Sequence, residues 1–145
     1  MTSHVQSTPI TAPSRGLNIA LWVLQLLLAV AFLMAGGFKL STPAEAFVAQ
    51  GMTAPVWALR LAGISEVLGA VGLVLPSLFR VQPRLTPIAA ALLALVVGLA
   101  VATHLAMGQL GAIVPPLVLG LLCSFVAWGR FKAAPIAPKR SGVEP

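Results

Sequence analysis

The sequence predicts an all-α protein: an integral membrane four-helix bundle with a short interfacial helix between spans one and two. Three observations carry this. Of 145 residues 59% are hydrophobic and only 8% charged, with mean hydropathy +1.00, whereas a water-soluble domain has about a quarter of its residues charged. Four apolar stretches are each long enough for a ~30 Å hydrocarbon core, which takes about 20 helical residues. The nine Lys and Arg are scattered along the chain, mostly outside these stretches and most of them on one side.

The four spans fall near 17–38, 55–77, 86–107 and 111–129. Thr53-Ala54-Pro55 opens the second, and Pro76 closes it, because proline disfavours continuation of a helix through its own position. Thr86 followed by Pro87 reads as N-cap and first helical residue of the third. The fourth opens with "GAIVPPLVLG", where Pro115 and Pro116 remove backbone donors and predict an irregular or bent first turn. Between spans one and two, "STPAEAFVAQGMTAP" places Thr42 and Glu45 in capping-box spacing, Pro43 at the first helical position and Gly51 at a stop. This predicts an interfacial helix over about 43–50, with Phe47 and Val48 dipping into lipid.

Orientation follows from the cations. Arg15, Arg80, Arg84, Arg130, Lys132, Lys139 and Arg140 share one side; Lys39 and Arg60 lie on the other. Both termini are therefore expected in the cytoplasm, with residues 1–16 and 131–145 as flexible tails around a transmembrane domain of 17–130. Span one is too long for a signal peptide and is expected to stay in the membrane.

Several function classes fall away. The net charge of +6 is not gathered on a polar face, so nucleic acid is not an expected partner. The single cysteine, Cys123, lies in an apolar run and reads as a small core residue; disulfide exchange through a resolving pair needs two thiols. One in-span histidine gives neither bis-histidine haem ligation nor a zinc site, and no serine–histidine–acid set or phosphate loop is readable. No metal ligands and no catalytic residues are assigned.

What remains is Glu66, within "LAGISEVLGAVGLVL", a carboxylate in an otherwise uncharged run. Such a group costs about 2.5–3.5 kcal/mol even on the gentler insertion scales and needs a partner. Arg60 stands about 240° away around the same helix, so the donor is expected from another one: Lys39 at the end of span one, or His104 near the end of span three. Lys39, Glu66 and His104 thus form the candidate ligand-binding or proton-relay cluster in the outer half of the bundle, and the inner half is expected to hold no comparable group. Arg60 marks the boundary beside Trp57, while Gly69 and Gly72 let other helices approach. Asn18 and Gln25 read as interhelical or interfacial hydrogen-bonding residues. The cluster is also readable as an assembly device, with Lys39 an interfacial anchor and His104 a satisfied helix-end residue.

"GGFKL", the short loop helix, "ISEVLGAVGLVLP" and "ATHLAMG", in this order across about residues 17–130, resemble the DoxX-like family of small four-helix bacterial membrane proteins. Family motif positions fall on Gly37, Lys39, Glu66, Gly69, Gly72 and His104. The resemblance implies a bundle in the cytoplasmic membrane. Some members of that family are membrane subunits of thiosulfate:quinone oxidoreductases, and others are linked to membrane oxidoreductase complexes handling thiol or oxidative stress. The soluble-type subunit domain beside some of them is not found in this sequence, so a complete thiosulfate-oxidising activity is not expected of it.

Two functional expectations follow. In one the chain is an accessory subunit, not an autonomous enzyme, with a soluble redox partner and a quinone or small sulfur ligand at the outer cluster. In the other it is a non-enzymatic scaffold or a carrier of a small or lipidic molecule, assembled as a homo-oligomer, with Glu66 structural.

Overall fold

The computed structural model describes residues 14–52 and 54–139. Helix α1 covers Arg15–Ser41, α2 Ala44–Ala49, α3 Val56–Phe79, α4 Leu85–Ala106 and α5 Val114–Trp128. A 3₁₀ turn, Leu110–Ala112, precedes α5, and a π turn, Gly129–Ala133, continues it. Among the described residues, four segments are long and apolar enough to cross a membrane: α1, α3, α4, and α5 with its flanking turns. Helix α1 packs on α3, α3 on α4 and α4 on α5, and α5 returns to α1. One end of this ring carries Ser14, the α3–α4 turn and residues 130–139; the distal end carries α2 and the α4–α5 connection.

The apolar surface is divided between a narrow core and a broad lipid-facing exterior. Leu21, Leu28, Phe32, Leu73, Leu93 and Val126 are buried at the centre. At most a third of the apolar window of any span is buried, and for the fourth only 17%. The rest faces outward, as in Leu27, Leu68, Leu95 and Leu121, which suits a hydrocarbon solvent. Trp57 and Trp128 stand exposed at opposite ends, in the positions of interfacial aromatic belts.

Helix boundaries depart from the sequence reading where a side chain finds a partner in another element. Helix α3 runs past Pro76 to Phe79. The proline removes one donor near the helix end, and on the same turn the Gln25 amide of α1 donates to the Leu73 carbonyl at 2.5 Å, supporting that backbone from outside the helix. Thr86 is not the N-cap of α4: the helix starts at Leu85, and Thr86 is fully buried, accepting a hydrogen bond from Ser77 at 2.7 Å. Thr53, expected at the start of span two, lies outside the described residues, and Pro55 is the N-cap of α3.

The capping box before α2 does not form. The Thr42 hydroxyl donates to the Phe38 carbonyl at 2.7 Å, closing α1 instead, and Pro43 is the N-cap of α2. Phe47 points into the bundle end, 1% exposed and edge-on to Phe38, while Val48 faces outward. The irregular start expected of span four is present as the 3₁₀ turn, and Pro115 and Pro116 lie in the first turn of α5.

Candidate functional site

Lys39 and Glu66 form the ion pair of the distal end. The Lys39 ammonium donates to both carboxylate oxygens, at 2.9 and 2.8 Å. Helices α1 and α3 run antiparallel, and a side chain leans towards the N-terminus of its own helix. Lys39, near the distal end of α1, therefore leans inward, and Glu66, deeper in α3, leans outward to meet it. Glu66 is about 15 Å along α3 from Val56 and is 6% exposed, whereas the lysine side chain keeps 24% of its surface accessible.

This meeting requires the two backbones to be close, and glycine allows it. A Cβ on Gly36 would lie 2.8 Å from the Gly63 carbonyl oxygen and 3.1 Å from Glu66 Cβ; one on Gly63 would lie 3.0 Å from Lys39 Cβ. Both glycines stand three residues from the charged residue of their own helix, so the crossing point and the ion pair are one structure. Gly37, the glycine expected from the sequence, has open space where a Cβ would stand, with nothing within 4 Å. Gly69 and Gly72 belong to the next contact, where a Cβ would meet Leu93 at 2.5 Å and Ala89 at 2.8 Å on α4.

Arg60 does more than mark a boundary. Its guanidinium donates to the Lys39 carbonyl through one terminal nitrogen and to the Thr42 carbonyl at 2.6 Å through the other, with its centre 5.5 Å from the Phe47 ring centroid. Carbonyls at a helix C-terminus lack intrahelical donors and carry the negative end of the dipole. Arg60 satisfies two of them and pins α2 beneath it, fixing the backbone that carries Lys39.

His104 stands at the same end of the bundle but in a separate contact. Its Nδ1 is 2.8 Å from the Gln109 side-chain oxygen across the α4–α5 connection. Among the described residues its hydrogen bond is with Gln109 and that of Glu66 is with Lys39, so the three-helix cluster resolves into an α1–α3 pair and a local α4 contact. No group of three or more His, Cys, Asp or Glu suited to a metal ion occurs among the described residues.

The opposite half of the bundle holds a second polar centre, contrary to the one-sided arrangement expected. Arg130, 3% exposed in the π turn, folds back across α1. Its Nε donates to Gln25 at 2.6 Å, one terminal nitrogen donates to Asn18 at 2.6 Å and to the Ala134 carbonyl at 3.2 Å, and its plane lies over Trp22 at 5.4 Å. A cation just past an apolar span reads as an interfacial anchor, which hides this role. The signal lies in span one, where Asn18, Trp22 and Gln25 recur at the spacing of a single helix face.

No curated protein and no solved structure matches the chain. The model of one protein family does, over residues 23–126, a stretch that takes in Lys39, Arg60, Glu66 and His104 and leaves Arg130 just beyond its end. With well over half of its length covered, and four helices able to span a membrane, this chain belongs to the DoxX-like family.

Proposed function

We propose that the chain is an accessory membrane subunit of an oxidoreductase complex, presenting the Lys39–Glu66 pair to a quinone-like headgroup or a small sulfur or thiol-related ligand. The observation that supports this is the use of the lysine. Two of its three N–H donors go to Glu66, and its side chain is still 24% accessible. A lysine held this way offers its remaining donor, in a fixed direction, to a ligand with acceptor oxygens; a quinone carbonyl or a sulfur oxyanion has them. The redox chemistry belongs to a soluble partner, and His104 and Arg60 line the same end of the bundle.

The same reading places the protein in the bacterial cytoplasmic membrane with both termini inside. Arg15, Arg80, Arg84, Arg130, Lys132 and Lys139 gather at the terminal end, and the distal cations, Lys39 and Arg60, are engaged within the bundle. The test is binding of a short-chain quinone and of thiosulfate to the full chain in lipid nanodiscs. Glu66→Gln, accumulating normally, should weaken one of them about tenfold, on the order of one charge-assisted bond, and a strain carrying it should lose quinone reduction or thiol-stress resistance. Unchanged binding and phenotype at normal abundance overturn the proposal.

A second reading has its own support. The close backbone approach at Gly36 and Gly63 makes the ion pair a clamp between α1 and α3, which suits a scaffold or carrier in which Glu66 is structural. In that case the loss in Glu66→Gln is confined to abundance and thermal stability with ligand binding unchanged, and crosslinking in native membranes recovers a homo-oligomer without a redox partner.

A further inference from the structure

At the terminal end, residues 135–138 run back over the α3–α4 turn, and Lys139 N–H donates to the Arg80 carbonyl at 3.1 Å. Between this segment, the turn and the π turn lies a cavity of about 610 Å³, lined by Gln82, Arg84 and Arg130 as its polar side chains. The volume is that of a small-molecule site, which runs to roughly 300–1,000 Å³. No carboxylate lines it. Of the chain's three acidic side chains, Glu45 and Glu66 are at the distal end and Glu144 lies outside the described residues.

Arg130 is therefore a buried cation whose described partners, Gln25, Asn18 and the Ala134 carbonyl, are all neutral. Its remaining terminal nitrogen, Nη2, is buried with no hydrogen-bond partner among the described residues. Leaving such a donor unmade is costly, more so on a charged group. A second cation, Arg84, lies at the same cavity, and Arg80 is on the same turn. Two guanidinium groups around an acid-free cavity suit an oxyanion, because the guanidinium fork matches phosphate oxygens. Basic pockets at the ends of transmembrane helices are also where anionic headgroups bind.

We propose that this cavity binds a phosphate group, with Arg130 as the buried cation and Arg84 as the accessible one. The phosphate is that of an anionic lipid headgroup or a free phosphate. This site is independent of the Lys39–Glu66 reading, being at the opposite end of the bundle.

The test uses the full chain purified in neutral detergent, titrated with phosphatidylglycerol, with phosphatidylcholine and with inorganic phosphate. Thermal unfolding and native mass spectrometry are the readouts. Phosphatidylglycerol or inorganic phosphate, but not phosphatidylcholine, should raise the unfolding temperature and remain bound. Retention of the lipid without effect of inorganic phosphate identifies a headgroup; an effect of both identifies the bare oxyanion as sufficient. Arg84→Gln, at an exposed turn where folding is not at stake, should weaken binding about five- to tenfold, the scale of one basic contact, and Arg84→Glu should abolish it. Ile136→Trp, which narrows the cavity and leaves both arginines in place, should also weaken it. Equal behaviour of the three titrants, or wild-type binding by Arg84→Glu and Ile136→Trp, overturns the proposal.

Discussion

A methyl group on Gly36 would sit 2.8 Å from the carbonyl oxygen of Gly63, so α1 and α3 touch backbone to backbone immediately beside the Lys39–Glu66 ion pair. Gly36→Ala must therefore push the helices apart. It is expected to cost about 1–3 kcal/mol, the range for overpacked cores, and to lower the unfolding temperature in detergent. Gly37→Ala, with open space around it, should be neutral or slightly stabilising by up to ~1 kcal/mol through helix propensity. Equal effects of the two substitutions would remove the crossing point as an explanation.

The partners of the ion pair are not equivalent. Glu66 is nearly buried, while Lys39 keeps a quarter of its side chain accessible and can reach an interface by snorkelling. Lys39→Met strands a carboxylate among apolar helices and should cost about 3 kcal/mol, the lower end for a broken buried pair. Glu66→Gln should cost less, and the double variant Lys39→Met with Glu66→Gln should recover part of the loss. Chemical unfolding of the three proteins measures the order.

Arg60 spans two carbonyls with its two terminal nitrogens and covers Phe47. A lysine offers a single ammonium and cannot reproduce that fork. Arg60→Lys is expected to cost about 1–2 kcal/mol, equivalent to one or two hydrogen bonds, and to expose residues 42–52 to limited proteolysis while the spans stay intact. Unaltered cleavage in that loop would show that α2 is held by Phe47 alone.

Gln25 is bonded at both ends of its amide, donating to Leu73 and accepting from Arg130. Gln25→Leu takes away the bond to the Leu73 carbonyl and leaves the Nε donor of a buried guanidinium without its acceptor. About 2–4 kcal/mol should be lost, on the order of one unsatisfied buried donor on a charged group and one further hydrogen bond. Gln25→Glu keeps the bond to Arg130 and should lose less. A similar unfolding temperature for both variants would mean that Arg130 reorganises without α1.

Cys123 is fully buried in the core and offers a reporter for all of these. A maleimide should leave it unlabelled in the folded protein and modify it on unfolding. Its labelling rate in Gly36→Ala and Gln25→Leu should rise about tenfold for each 1.4 kcal/mol of stability lost. Rapid labelling of the wild type would contradict the packing described around it.

The spans and the bundle are readable from sequence because hydropathy over twenty residues averages out local detail, and an intramembrane acid such as Glu66 demands a donor whatever the exact packing. The choice of Lys39 over His104 is not, since it depends on which helices neighbour α3. The choice of Gly36 over Gly37 is partly readable. The buried positions Leu21, Gln25, Leu28, Phe32 and Gly36 continue one helical stripe, and Gly37 falls off it. Thr86 and Thr42 mislead because their hydroxyls prefer tertiary or preceding-helix partners to the local caps that spacing suggests. Arg130 escapes a sequence reading because one polar face of α1 and one cation 105 residues later carry no sign that they meet.

That separation has a consequence for biosynthesis. Asn18 and Gln25 leave the ribosome more than a hundred residues before the arginine that bonds them. At roughly 5–20 residues per second, the first helix waits on the order of 5–20 s for its polar partner. During that interval its amides must be sheltered by the insertion machinery, by water at the membrane surface or by transient lipid contacts. A released chain truncated before Arg130 should therefore be recognised by quality-control proteases, whereas one truncated after Lys139 should be spared.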